Sequence, residues 1–394
     1  MTAASVRRGG TGLAGVGFAF AVTMFGTTLP TPLYPLYRKQ IGFSDLTITV
    51  IYAVYAVGVL VALLLLGELS DRIGRRPVLL AGVGLSALSA VAFIAQGGLP
   101  ALFLGRVLSG LSAGLFTGTA TATMVELAPP EDRPRATLAA TVVNMGGLGL
   151  GPLLAGLVSQ HVGLPLRTIF AVDLVLLVPA ALLLLAAPET VTERQRFRLH
   201  VTRLAVPAQV RAEFVRGSVI GFAGFVVLGL FSSVIPSALG ELLHEHDRGV
   251  VGATVFAIFF ASIVGQVAVP RLGLARAMPV GCLLLVVGMG IFATALSSHS
   301  LALIVLTALV AGFGQGLSFR AGLMLITGPT PPDQRGEVTS AFFTILYVGI
   351  SIPVVAVGLA ARSYGLQHTG MVTAGVVGVL ALATLASLLR PVRG

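Results

Sequence analysis

Twelve runs of about twenty apolar residues constrain this chain more than any other feature. They lie at about 14–36, 46–66, 77–97, 100–126, 137–159, 167–187, 217–239, 250–269, 277–297, 301–326, 338–360 and 370–389. Each matches the roughly 20 residues an α-helix needs to cross a bilayer. Backbone polar groups in lipid must pair within the structure, so such runs form helices rather than open sheets. The short gaps at 97–100 and 297–301 each separate two long runs, and two helices fit better there than one very long helix. Composition agrees: 56% of the 394 residues are hydrophobic and only 10% are charged, against about 45–50% and 25% in soluble domains. The expected fold class is an all-α membrane protein with 12 transmembrane helices.

The net charge of +10 does not form a nucleic-acid patch, because the basic residues sit in the short gaps between runs. With the N-terminus in the cytoplasm, the gaps on that side carry Arg7, Arg8, Arg72, Arg75, Arg76, Arg133, Arg135, six arginines between 194 and 216, Arg271, Arg276, Arg335, Arg390 and Arg393. The opposite side carries Arg38, Lys39, Arg167, Arg248 and Arg362. This strong positive-inside bias suits an even number of spans with both termini cytoplasmic. MTAASVRRGG precedes an apolar stretch as in a signal peptide, but that stretch runs on into TTLPTPLYPLY without a small-residue cleavage site. An uncleaved first span is expected. The single cysteine, Cys282, excludes a disulfide framework or a Cys-based metal site within one chain, and packing is its expected role.

The longest polar segment, 188–216, divides the chain into halves at 1–187 and 217–394. A cytoplasmic linker is expected there, with a surface helix as an alternative, since Phe197, Val201 and Leu204 recur at helical spacing. The halves align at a constant offset of 202: Gly110/Gly312, Gly114/Gly316, Leu115/Leu317, Pro129/Pro331, Pro130/Pro332, Arg133/Arg335 and Thr137/Thr339. Glu131/Asp333 matches in charge, and the register continues to Gly147/Gly349 and Gly156/Gly358. Two similar six-helix bundles about a pseudo-two-fold axis suggest a machine that rocks one half against the other around a midplane substrate site.

Residues 67–76, GELSDRIGRR, hold five charges between two apolar runs. They resemble the signature between helices 2 and 3 of the major facilitator superfamily, with Gly67, Leu69, Asp71, Arg72, Gly74, Arg75 and Arg76 matching. Helix 4 carries LFLGRVLSGLSAG, similar to the family's second motif through Arg106, Gly110 and Gly114. Helix 5 carries GLGLGPLLAG, which resembles the motif of proton-coupled exporters through Gly147, Gly151, Pro152, Ala155 and Gly156. A worn copy of the loop motif, GQVAVPRLGLARA, keeps Arg271 and Gly273 but has Pro270 where the acid belongs. The resemblance covers the chain and implies the major facilitator fold, with its two pseudo-symmetric bundles.

It also implies a cytoplasmic gate. Asp71 and Arg72 would bridge the halves when the cavity faces outward, with Arg75, Arg76, Arg133 and Glu126 extending the charge network. Turn chemistry and topology alone are the alternative: Gly67 and Gly74 permit a short connection, Pro77 suits a first helical turn, and a carboxylate at Asp71 suits the helix N-terminus that follows.

Arg106 and Asp173 lie inside spans, at comparable depth. An arginine at a helix centre costs at least ~2.5–3.5 kcal/mol on insertion scales and so calls for a reason. Either Arg106 snorkels, or it answers a nearby acid or a substrate. Asp173 is the one carboxylate well inside a span; burial and a neighbouring arginine act on its proton affinity in opposite directions, so the pair is a candidate for proton coupling. Since helix 6 is usually peripheral in the superfamily, a structural contact is as open. Helix 1 lacks the acid that many drug exporters carry.

In the family, helices 1, 4, 7 and 10 line the cavity. Candidate substrate contacts are Thr27, Tyr34, Asn144, Phe225, Gln315, Arg320 and Tyr347, with snorkelling the alternative for Arg320 and an Arg106 or helix contact for Asn144. Tyr34 and Tyr37 are also expected as anchors near an outer interface. Tyr52, Tyr55, Phe256 and Phe343 join Phe225 and Tyr347 as candidate cavity walls or core. Gly147, Gly151 and Ala155, spaced by four, bare one face of helix 5 for close packing; Gly110, Gly114 and Gly118 do the same on helix 4. ELLHEHDRG, with His244 and His246, is expected to be a solvated loop rather than a metal site.

The resemblance thus implies a monomeric, proton-driven exporter of small molecules across the bacterial inner membrane. No cofactor is expected, and no GxxxxGK[ST] loop is present to bind ATP phosphates. A sugar or metabolite permease is the alternative, ahead of a transport-inactive receptor. An enzyme is disfavoured, since no convergent His/Glu or Ser/His set falls within the spans.

Overall fold

Apolar runs with few charges fold as helices along their whole length. The computed structural model describes residues 3–192, 204–331 and 334–389, with side chains from residue 10 onward. The helices are α1 (Ala3–Thr28), α2 (Tyr34–Ile41), α3 (Asp45–Leu66), the single turn α4 (Leu69–Ile73), α5 (Arg75–Ala95), α6 (Gly98–Leu127), α7 (Arg133–His161) and α8 (Pro165–Ala186). They continue as α9 (Arg211–Ser233), α10 (Ile235–Leu242), α11 (Arg248–Leu272), α12 (Leu274–Ser298), α13 (Leu301–Thr327) and α14 (Arg335–Leu389). No strand occurs among the described residues.

Among the described residues, eleven continuous stretches are long and apolar enough to cross a membrane. The last has 55 residues, roughly 80 Å of helix at 1.5 Å per residue, far more than one bilayer. Gly365, at φ 76° and ψ 157°, breaks it into two crossing helices. The described residues therefore hold twelve crossing segments in a multi-pass membrane protein. The first differs in form from the expected 14–36: α1 ends at Thr28, and Pro30 and Pro32 turn the chain into a 3₁₀ turn before α2. The seventh starts six residues before 217, because Arg211, Glu213 and Arg216 extend α9 as a polar first turn and a half.

The helices gather into two units. One comprises residues 1–41 and 54–202, the other 42–53 and 203–394, so the boundary falls inside α3. In the first unit α1 packs on α6, α7 and α8, and α5 packs on α6 and α8. In the second, α13 packs on α9, α11 and α12, while α14 packs on α9 and α12. Large apolar side chains such as Val175, Leu182, Leu359 and Val372 stand exposed on these helices. In water such faces would drive association; in lipid they are ordinary.

Close packing repeats between the halves at the paired glycines. A Cβ on Gly110 would overlap the Tyr55 carbonyl of α3, and one on Gly312 would lie 2.5 Å from the Ile258 carbonyl of α11. Likewise a Cβ on Gly147 would lie 2.5 Å from the Ala21 carbonyl of α1, and one on Gly349 3.0 Å from the Phe222 carbonyl of α9. The worn loop copy keeps its glycine for a backbone reason. Gly74 (φ 113°) precedes α5 and Gly273 (φ 76°) precedes α12, both in a region that side chains disfavour. Gly118 is a correction, since nothing lies within 4 Å of a Cβ there and it makes no close crossing.

Within the polar segment, Phe197 and Val201 lie outside the described residues, as do Pro332, Asp333, Arg390 and Arg393. Leu204 is exposed and non-helical.

Candidate functional site

Three polar groupings stand out from the apolar helices. The first is the loop 67–76. Arg75 reaches from the start of α5 to the far end of α6, where its Nη2 donates to Glu126 Oε1 at 2.8 Å. It also forms an ion pair with Asp71 and donates to Ser70 Oγ. Arg72 turns back to Glu68 at 2.8 Å. Arg133 is near enough to act on Glu126 by charge. Arg76 caps α8 by donating to the Leu185 carbonyl at 3.1 Å, a favourable place for a cation at a helix C-terminus.

The carboxylate on the N-terminus of α5 is Glu189, not Asp71 as the spacing suggested. Its two oxygens accept from the backbone N–H groups of Arg75 (2.8 Å) and Arg76 (3.2 Å). Asp71 lies in the turn α4 instead. Glu189 and Thr190, which hydrogen-bonds Glu126 at 2.5 Å, start the segment read as a plain linker. Their part was not legible, because 114 residues separate Glu189 from Arg75.

The second grouping is buried in the first unit, around the end of α1. Arg106 is 2% exposed, so it does not snorkel. Its Nη1 donates to the Thr27 carbonyl at 2.6 Å, and its guanidinium lies 4.7 Å from the Tyr55 ring centroid. Asp173, on α8, is 1% exposed. A Cβ on Gly26 would lie 2.8 Å from Asp173 Oδ2 and 3.2 Å from Ser86 Oγ. Asp173 Oδ1 has no hydrogen-bond partner among the described residues. Arg106 and Asp173 thus lie against two adjacent residues of α1, Thr27 and Gly26. Gly26 had not been singled out; its small size is what admits the carboxylate.

Tyr34 and Tyr37 correct another expectation. Both are 1% exposed and pack inside the unit rather than at an interface, Tyr37 against Phe93, which stacks on Phe170 at 4.8 Å. Their hydroxyls are buried without partners, as are Thr23 Oγ1, Thr31 Oγ1 and Asn144 Oδ1. Asn144 therefore makes no hydrogen bond to Arg106 through that oxygen. Thr27 bonds locally, donating to Met24 at 2.7 Å. Gly147 and Gly151 seat α7 on this same stretch of α1, from Ala21 to Thr28, with Pro152 inside α7 and both Ala155 and Gly156 buried.

The third grouping lies in the second unit, where α9, α11, α13 and α14 meet. Gln266 Nε2 donates to Ser262 Oγ at 3.2 Å, and Ser262 Oγ donates to Gln315 Oε1 at 2.6 Å. Gln315 Nε2 is left buried without an acceptor. One turn along, Arg320 Nη1 donates to the Gln266 carbonyl at 3.1 Å. Phe225 packs against Phe319 (5.7 Å) and Tyr347 (6.3 Å), and Phe319 against Phe343 (6.0 Å). Phe225, Gln315 and Tyr347 are thus brought together, while Ser262 and Gln266 were missed because single polar residues in an apolar run carry no motif.

Among the described residues no group of three His, Cys, Asp or Glu side chains could hold a metal. His244 and His246 contact each other through a backbone carbonyl in an exposed loop. A recess of about 450 Å³ in the first unit is lined by Lys39, Gln40, Gln96 and Arg167 among others, none of them an expected site residue.

The family model described as Major Facilitator Superfamily matches residues 16–353. Curated relatives include the putative multidrug resistance protein MdtD of Escherichia coli O1:K1 / APEC, 26% identical over 236 residues, which are 59% of this chain and 50% of that protein. The same protein of Escherichia coli strain K12 / DH10B matches over the same shares. The chain spans about half the length of these relatives. Among solved structures, a D-xylose–proton symporter superposes with a TM-score of 0.75 at 16% identity, covering 96% of each chain. The nucleoside transporter NupG does so with a TM-score of 0.70 at 15% identity, covering 98% of this chain and 100% of its own.

Proposed function

The chain belongs to the Major Facilitator Superfamily, and from that premise we propose that it is a proton-coupled secondary transporter. It exports small molecules across a bacterial inner membrane by alternating access. The observation that carries this reading is Asp173: a carboxyl group buried in a membrane helix, without a hydrogen-bond partner for its Oδ1 among the described residues, pressed on Gly26 of α1. A carboxyl group gains or loses its proton as its surroundings change, and coupling requires that property. Arg106 holds the next residue of the same helix through the Thr27 carbonyl. A shift of this turn of α1 therefore alters both groups together.

Export is supported by the multidrug description of the MdtD relatives and by the glycine–proline seam that seats α7 on α1. The loop 67–76 serves as the cytoplasmic gate. Asp71 is its exposed carboxylate, the Arg75–Glu126 pair its fixed frame, and Arg72, Arg76 and Arg133 its surrounding charge. Pro270 leaves the second copy without an acid, so the latch is one-sided. The termini face the cytoplasm on the strength of the arginine distribution, the halves 1–187 and 217–394 are the moving bodies, and the transporter works as a monomer.

A sugar or metabolite permease is the second reading. The hydrogen-bonded set Ser262, Gln266 and Gln315 favours it, because such groups suit a hydroxylated substrate. Purified protein in liposomes with an imposed pH gradient separates the two. Proton flux elicited by a dye or antibiotic supports the exporter; sugar equilibration without a gradient supports the permease and sinks the exporter.

A further inference from the structure

Arg106, Asp173 and Arg320 are the charged side chains well inside the spans. The one acid, Asp173, lies on α8 in the first unit. The core of the second unit therefore holds a cation and, among the described residues, no carboxylate. We infer that the meeting point of α9, α11, α13 and α14 recognises an amphiphilic organic anion. This rests on the transport reading and narrows its substrate to an oxyanion-bearing compound with a flat apolar body.

Four features carry the inference. Arg320 sits seven residues before the end of α13, about 10 Å along its axis, and it is half-buried. It makes one hydrogen bond, to a backbone carbonyl, and no carboxylate pairs with it among the described residues. A guanidinium stays protonated in proteins and presents five N–H donors, so most of its donors remain unused. Placed in a membrane helix, that charge is costly without a counter-charge.

The neighbouring side chains are also arranged as donors. The bonds run in one direction, from Gln266 Nε2 to Ser262 Oγ and from Ser262 Oγ to Gln315 Oε1. The acceptors Ser262 Oγ and Gln315 Oε1 face internal donors, and the Gln315 amide N–H₂ is buried without a partner among the described residues, in a residue only 1% exposed. A buried donor without an acceptor is expensive; an oxyanion would satisfy it and Arg320 together. Both side chains reach α11 along one seam, at Ser262 and, one turn on, at Gln266.

The apolar neighbours suit the other end of such a ligand. A Cβ on Gly224 would lie 2.7 Å from Gln315 Cγ, so the glycine lets the amide approach α9. The adjacent residue, Phe225, starts the aromatic group with Phe319, Phe343 and Tyr347. Aromatic faces next to convergent donors suit a planar ring bearing a carboxylate or another oxyanion. A cationic ring would meet Arg320 with like charge and find no acid among the described residues of this unit's core.

The test is equilibrium binding to the purified chain in detergent, with fluorescein as the anionic probe and rhodamine 123 as a cation on the same ring system. Fluorescein should bind at least about tenfold more tightly than rhodamine 123. Arg320→Gln should weaken fluorescein by on the order of tenfold or more, since hydrogen bonds to a charged group are among the stronger ones. Arg320→Lys should retain most of the affinity and guards against a Gln variant that fails to fold. Gln315→Leu should weaken fluorescein several-fold. Equal or tighter rhodamine binding, no fluorescein binding by the parent chain, or unchanged affinity in a folded Arg320→Gln overturns the inference. Binding needs no gradient, so a failure of proton-driven transport in liposomes would be seen separately from a failure of anion recognition.

Discussion

At the scale of single residues, Asp173 and Gly26 form one device. The carboxylate occupies the space that a side chain on α1 would otherwise take. Asp173→Asn keeps the shape and removes the titration. Substrate-driven proton movement in liposomes should disappear in that variant, while substrate exchange without a gradient should persist. Retained proton movement would eliminate Asp173 as the coupling group. Gly26→Ala approaches the site from the other side: its methyl would lie 2.8 Å from Asp173 Oδ2. Transport should fall several-fold, and an unchanged rate would show that this contact is passive. The sequence marked Arg106 and Asp173 as costly inside lipid. It did not show that both would lie against α1, because that depends on where helices 4 and 6 meet helix 1.

At the scale of elements, close crossings and caps set stability. Gly110→Leu places a side chain against the Tyr55 carbonyl of α3. Overpacking of this kind costs about 1–3 kcal/mol or more, and thermal melting in detergent should show a clear drop in Tm. Gly118→Ala, where nothing lies within 4 Å, should stay within about 0.5 kcal/mol of the parent. Equal Tm values for the two variants would contradict the packing described for α6. Glu189→Gln weakens the cap on α5, where losses run to about 0.5–2 kcal/mol, and should lower Tm without removing the Arg75–Glu126 pair. The twelve spans were legible because a bilayer sets their length and polarity, and the glycines spaced by four marked the crossings except at Gly118. The cap from Glu189 was not, since it depends on chain meeting chain 114 residues apart.

At the scale of the whole molecule, the internal repeat carries the account. Paired glycines 202 positions apart make the same kind of crossing in each unit, and both loop copies keep a glycine at positive φ. What differs is charge: the first loop keeps its acid and the second has Pro270. Asp71→Asn should therefore reduce transport strongly while membrane insertion and Tm stay at parent values. Full transport by that variant would remove the gate. The repeat and the loop motif were readable as letters; the substrate was not, because isolated residues such as Ser262 and Gln266 gain meaning only when α11 packs on α13. The central claim is that a proton gradient drives movement of a small molecule through this chain. The most direct measurement is purified protein in liposomes, with a pH-sensitive dye inside and fluorescein added under an imposed pH gradient. The account predicts proton flux that begins on substrate addition, scales with the gradient and vanishes in Asp173→Asn. Substrate movement at the same rate with and without the gradient, and no proton flux, would contradict it.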